Sequence, residues 1–188
     1  MMTSPLPDAA MASTPTPPPR PPELAAATEE TIELVGRPVS VSLSMPETSQ
    51  ALIETAAEDT GRILVTVEDI EAERDPGLAY AVYLDPPGDS DGPDRQRRHI
   101  GNVSFFGIEK MNEPDEPHEG VAGFRHTFDA TDAVKVLRDE SGWDPATMRV
   151  TFEPITLLPP PGEELPEEAE RTAQATPVRI GRVSVFVA

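Results

Sequence analysis

Hydrophobic and polar positions alternate most clearly between Ile63 and Asp85. Ile63, Val65 and Val67 fall on one side, and Leu64, Thr66 and Glu68 on the other. That period of two belongs to a strand with one buried face. Further on, Tyr80, Val82 and Leu84 alternate with Ala81 and Tyr83, and β-branched and aromatic residues dominate both runs. The polar segment Glu71 to Gly77 between them ends in Pro76-Gly77, a turn signal. The spacing predicts a strand pair with a projecting loop, and a lone pair cannot stand in water, so other strands must complete the sheet.

The remaining pattern supplies them. Val39, Val41 and Leu43 alternate with Ser40, Ser42 and Ser44, after Ile32 and Leu34. His99–Ile108 reads as a strand in which Gly101 and Gly107 mark a bulge or a close backbone approach. Phe124, His126 and Phe128 make a short strand, Met148 to Glu153 another, and Val178 to Val187 the last, with Val183, Val185 and Val187 on one face. Ser49 to Gly61 fits either a helix or a loop. Asp129 to Gly142 reads as a helix: Asp129 or Thr131 caps its start, Ala133, Val134 and Leu137 form its apolar face, and Gly142 stops it. Trp143 is expected to cover its end. About seven short strands with one inserted helix predict an all-β fold, an antiparallel β-sandwich.

Composition trims this picture. The chain has 188 residues with 23 prolines, and Pro15 to Pro22 lies inside a Pro/Ala/Ser/Thr stretch that cannot bury enough apolar surface to order itself. Residues 1–28 are therefore expected to be a disordered proline-rich tail used as a spacer, with order beginning near Ile32 and residues 29–188 forming the sandwich domain. There is no cysteine, which excludes disulfides and thiolate chemistry. Fifteen Lys and Arg against 34 Asp and Glu give a formal charge of −19. That balance argues against nucleic acid and anionic membranes as partners. No apolar run reaches the roughly 18 residues of a membrane helix, and no basic-then-apolar leader opens the chain. The expected location is cytoplasmic by default.

Candidate chemistry is sparse. Asp89, Asp91 and Asp94 lack the ligand spacing and closing Glu of an EF-hand, so a solvated turn is expected there. Ser40, Ser42, Ser44 and Ser104 have no identifiable His and Asp partners for hydrolysis. Glu163, Glu164, Glu167, Glu168 and Glu170 read as an exposed acidic loop. His126, between two phenylalanines on a strand face, is expected to be satisfied by a hydrogen bond. Phe105 and Phe106 are adjacent on a strand, so one ring should be core and the other should project as an interface candidate. Met111 and His118, near Glu116 and Glu119, complete the candidate partner interface.

The order of these elements resembles the C-terminal β-sandwich domain of tyrosinases and plant polyphenol oxidases, the type 3 copper oxidases. The plant domain has a strand ending in Gly-Ile-Glu, a charged turn with Arg-Asp, and a Lys-Phe-Asp-Val-Tyr-Val strand. Here Asp69-Ile70-Glu71, Arg74-Asp75 and Tyr80-Ala81-Val82-Tyr83-Leu84 take those places. The motif's Phe falls on Tyr80 and its Val on Val82, while its Lys and Asp are replaced by Ala79 and Ala81. Ile100 to Val103, Phe128 to Leu137, Met148 to Pro154 and Val178 to Gly181 resemble the elements that follow. The resemblance spans residues 30 to 188.

It implies a sandwich that packs over a copper site held elsewhere. The family's oxidase chemistry needs two sets of three histidines on a separate helical domain. This chain has only His99, His118 and His126, none in helical pairs. The expectation is therefore a non-catalytic chain that binds no cofactor and covers or assembles a tyrosinase-like catalytic subunit carrying the copper. An independent ligand- or protein-binding sandwich is a second reading. A copper-delivery chaperone using Met111 and His118 is a third.

Overall fold

The computed structural model describes residues 21–58, 61–85, 95–108, 124–140, 143–155 and 176–188. Within them run β1 (Glu23–Ala27), β2 (Ile32–Leu34), β3 (Val39–Ser42), α1 (Glu47–Glu58), β4 (Ile63–Glu71) and β5 (Ala79–Asp85). There follow β6 (His99–Val103), β7 (Phe124–Asp129), α2 (Thr131–Asp139), β8 (Arg149–Ile155) and β9 (Val178–Val187). All strand pairing is antiparallel, in two sheets. One is ordered β1-β9-β4-β7, with β2 beside the other half of the β9 edge that β1 occupies; the second is β3-β8-β5-β6. This is the all-β sandwich that the alternation predicts, with nine described strands and two helices.

The inward faces are the ones that the period-two pattern marks. Ile63, Val65 and Val67 of β4 and Val183 and Val185 of β9 are fully buried. So are Val82 and Leu84 of β5 and Val150 and Phe152 of β8, and all of these residues share one core. Alternation fixes the face but not the sheet. β4 and β5 do not pair as expected: each lies in a different sheet, and the Glu71–Gly77 segment is a crossover between layers. Asp75 Oδ1 accepts from the Gly77 amide at 2.8 Å, and Gly77 sits at φ 67, which a side chain would oppose.

The expected tail boundary also moves. β1 falls inside residues 1–28 and pairs with the C-terminal half of β9, placing Ala25 and Ala26 in the core. Its Glu-Leu-Ala-Ala-Ala sequence lacks the β-branched residues that announce a strand; a partner edge, rather than local preference, makes it one. The Pro15–Pro19 run lies outside the described residues.

Both helices sit at the same end of the sandwich. The ambiguous Ser49–Gly61 segment is helical as α1, with Ile53, Ala56 and Ala57 buried. Arg138 of α2 donates to the Ala57 carbonyl at 3.0 Å, satisfying an acceptor that the last turn of α1 leaves open. At the start of α2, Asp129 Oδ1 accepts from the Thr131 amide at 3.1 Å and from its hydroxyl at 2.6 Å. Gly142, the expected stop, lies outside the described residues. Trp143 packs against the core beyond α2.

Candidate functional site

The expected strand through Phe105 and Phe106 ends at Val103, and the two rings part company in a turn. The Ile108 amide donates to the Phe105 carbonyl at 3.1 Å, closing Phe105-Phe106-Gly107-Ile108. Gly107 takes φ 82, the left-handed geometry of the third position in a type II turn. Phe105 and Ile108 are each 1% exposed and anchor the turn, while Phe106 at its tip is 90% exposed. Phe105 packs edge-on against Tyr80, with ring centroids 6.0 Å apart. One ring is in and one is out, but turn geometry, not strand alternation, separates them. The turn follows the end of β6 that points away from the helices.

Tyr80 ties this end together. Its hydroxyl accepts from the Gly36 amide at 2.8 Å, at the bend between β2 and β3. Burial pushes its phenol pKa above the ordinary value, against the opposing effect of the Gly36 hydrogen bond.

The described histidines are engaged elsewhere. His126 Nε2 meets the Ser104 carbonyl at 3.2 Å, and its ring stacks on Phe128 and abuts Phe124 edge-on. His99 Nε2 bonds Asn102 Oδ1 at 2.9 Å. Among the described residues, no three His, Asp or Glu side chains are grouped to hold a metal ion. The residues described do not fit a copper pair. Met111, His118, the Asp89–Asp94 turn and the Glu163–Glu170 loop lie outside the described residues.

Sequence reasoning missed a buried charge pair at the helix end. Arg95–Arg98 forms a short 3₁₀ turn leading into β6, and Arg98 is buried with Asp85, each side chain 1% exposed. The Arg98 Nε to Asp85 Oδ1 separation is 3.8 Å, and Arg98 Nη1 lies 3.5 Å from Glu140 Oε1. Neither Asp85 oxygen has a partner at full hydrogen-bond geometry among the described residues. Desolvation dominates, so the Asp85 carboxyl is held above the ordinary aspartate range although Thr151 and Arg98 pull it down. The sequence shows a basic run at 95–98, but nothing in its spacing tells a buried arginine from a solvated one. Beside it, Arg95 caps the Tyr83 ring at 4.4 Å and pairs with Glu153 at 2.6 Å.

Fold and site together define an antiparallel sandwich whose most prominent presented group is an aromatic turn, remote from its buried charges. The chain belongs to the family Domain of unknown function (DUF7868), whose pattern matches residues 21–188. A comparison with curated proteins found no match. Among solved structures, a recombinantly expressed latent aurone synthase, a polyphenol oxidase, is similar at 11% identity and a TM-score of 0.38. The similarity covers 90% of this chain and 26% of that one, so this chain spans about a quarter of its length. It is a distant structural similarity. Among the described residues, no helix is long and apolar enough to cross a membrane.

Proposed function

We propose that this chain is a non-catalytic accessory module that works by contact, covering or assembling a tyrosinase-like copper oxidase subunit that carries the copper. The observation that carries the contact is Phe106: a large apolar ring held 90% exposed on a turn whose two ends, Phe105 and Ile108, are buried. A ring left in water at such a fixed place is a candidate anchor for a partner pocket. The choice of partner rests on the residue order around Asp69-Ile70-Glu71, Arg74-Asp75 and Tyr80-Val82. The structure gives these residues scaffold work: they build the crossover between the sheets and hold Tyr80 under the aromatic turn.

The test mixes the full chain with a purified tyrosinase-type oxidase lacking its own cover domain. Complex formation is followed by size-exclusion chromatography, and turnover by diphenol oxidation. The expected result is a complex with slowed turnover, weakened about tenfold or more by Phe106→Ala, as for a central aromatic anchor. No complex at micromolar concentration, or inhibition indifferent to Phe106→Ala, overturns the proposal. A tight stoichiometric Cu(I) complex of this chain alone would favour the delivery reading instead.

A further inference from the structure

On the side of the sandwich away from β6 and β7, the two sheets are joined at one described rung. The Ala27 amide donates to the Ser44 carbonyl at 3.2 Å, and the Ser44 amide to the Ala27 carbonyl at 2.8 Å. Beyond that rung the chain leaves: the Thr28 amide turns to the Val183 carbonyl at 2.9 Å, and β2 then pairs with β9. A cleft of about 560 Å³ opens there between Thr28–Glu33 and Val39–Ser44.

The direction of the main-chain groups of β3 follows from its ladder. The Leu43 amide bonds the Met148 carbonyl, continuing the β3 to β8 register, so Leu43, Val41 and Val39 turn their amides and carbonyls toward β8. Ser44 turns the other way, toward Ala27. Ser42 and Ser40, two and four residues back along the strand, repeat the Ser44 direction and face the cleft. Among the described residues no main-chain partner meets them. Pro38, the next position in that row, has no amide and ends it. Among the described residues the free edge is thus short: Ser42 and Ser40, between a closed rung and a proline.

Charge selects the occupant. Glu29, Glu30 and Glu33 lie along the facing wall, and among the described residues the rest of the lining is hydroxyl or aliphatic, with no Lys or Arg. A second copy of a chain with formal charge −19 would be repelled.

We infer that the cleft between β2 and β3 is a strand-addition site for a short, extended, basic peptide segment of another protein. The segment continues the Ala27–Ser44 rung along Ser42 and Ser40 and sets its Lys or Arg side chains against Glu29, Glu30 and Glu33. Main-chain hydrogen bonds hold it and the carboxylates choose it. β3 and β6, the strand that precedes the Phe106 turn, are opposite edges of one sheet, and this site does not depend on the oxidase reading.

The full chain is titrated with fluorescent heptapeptides of alternating Lys and Val, alternating Glu and Val, and the Lys-Val peptide interrupted by proline. Amide hydrogen exchange is read in parallel. The Lys-Val peptide should bind at least about tenfold tighter than the other two, with an affinity that falls as salt rises. It should slow exchange at Ser40 and Ser42 and leave Val39 and Val41, already bonded to β8, unchanged. Glu30→Lys with Glu33→Lys, both exposed, should weaken binding about tenfold without shifting Tm. The proposal is overturned if the Lys-Val peptide does not bind, if the Glu-Val peptide binds equally, or if binding leaves Ser40 and Ser42 exchange unchanged. Spermidine binding as tightly as the peptide would make this a cleft for free cations. Concentration-dependent protection of Ser40 and Ser42 without peptide would assign it to a second copy.

Discussion

Where β6 meets β7, the two sheets close on each other; where β3 faces β1 and β2, one described rung joins them and the cleft begins. The closed side works because Gly101 has no side chain. A Cβ there would lie 2.4 Å from Cδ1 of Phe128, so the ring rests directly on the β6 backbone. His126 adds its bond to the Ser104 carbonyl across the same seam. The ladder also shifts register between Val82 and Tyr83, as the glycine in this strand foretold. On the open side the corresponding positions are serines and glutamates, which offer hydrogen bonds outward rather than apolar surface inward. The lesson is that a sandwich edge is shut by apolar groups reaching across it, and stays available where polar ones line it.

The largest expected effect lies at the helix end of the closed side. Arg98→Ala removes the cation buried with the Asp85 carboxylate, leaving the weaker pull of Arg95 and Arg149, and should cost about 3–5 kcal/mol at neutral pH by urea denaturation. Because burial raises the Asp85 pKa, its charged form opposes folding more as pH rises through that folded value. The cost of Arg98→Ala should accordingly shrink toward low pH, where Asp85 is neutral. A loss under about 1 kcal/mol would show that the ion pair does not hold β6 in place.

Gly101→Val should come next, at about 2–3 kcal/mol, because a Cβ would press on the Phe128 ring and Gly101 holds φ 155, a backbone geometry that a side chain opposes. If it is neutral, the claim that the seam is tight fails. Tyr80→Phe, which removes the acceptor of the Gly36 amide, should cost about 1–2 kcal/mol and speed exchange at Gly36, coupling the core to the bend that feeds the open edge. The N-cap position of α2 is Ala130, not the expected Asp129 or Thr131, so the smallest effect is Asp129→Ala, about 1 kcal/mol through its lost bonds to the Thr131 amide and hydroxyl. The hydroxyl and amide of Thr131, then Arg62, hold the Asp129 carboxyl below its ordinary pKa, while slight burial opposes them. Its contribution is therefore present above the ordinary aspartate value and vanishes as pH falls through the lowered folded value, so thermal melts of variant and parent should converge there.

The strands and their buried faces were legible because alternation is a local property: Ile63, Val65 and Val67 announce their side wherever they sit. Which sheet a strand joins is not local, and the Ile63–Asp85 stretch was misjudged as a pair for that reason. β1 was invisible since its alanines are held by the β9 edge. Adjacency alone predicts that one of Phe105 and Phe106 projects; that it is Phe106 follows from the turn through Gly107. Nothing in the sequence sets Arg98 apart from its neighbours, because a guanidinium is buried only when distant residues, here Asp85 and Glu140, come to meet it. The free row on β3 could not be seen at all: it depends on where residues after Ala27 turn away.

The turn at Phe105–Ile108 has a consequence for how contact there is timed. With Phe105 and Ile108 sunk in the core and the turn closed by the Ile108–Phe105 hydrogen bond, the backbone that carries Phe106 is already in place for a receiving pocket. Docking would freeze little additional motion. Substitutions at this knob should therefore leave encounter frequency nearly unchanged and shorten the lifetime of whatever assembly forms.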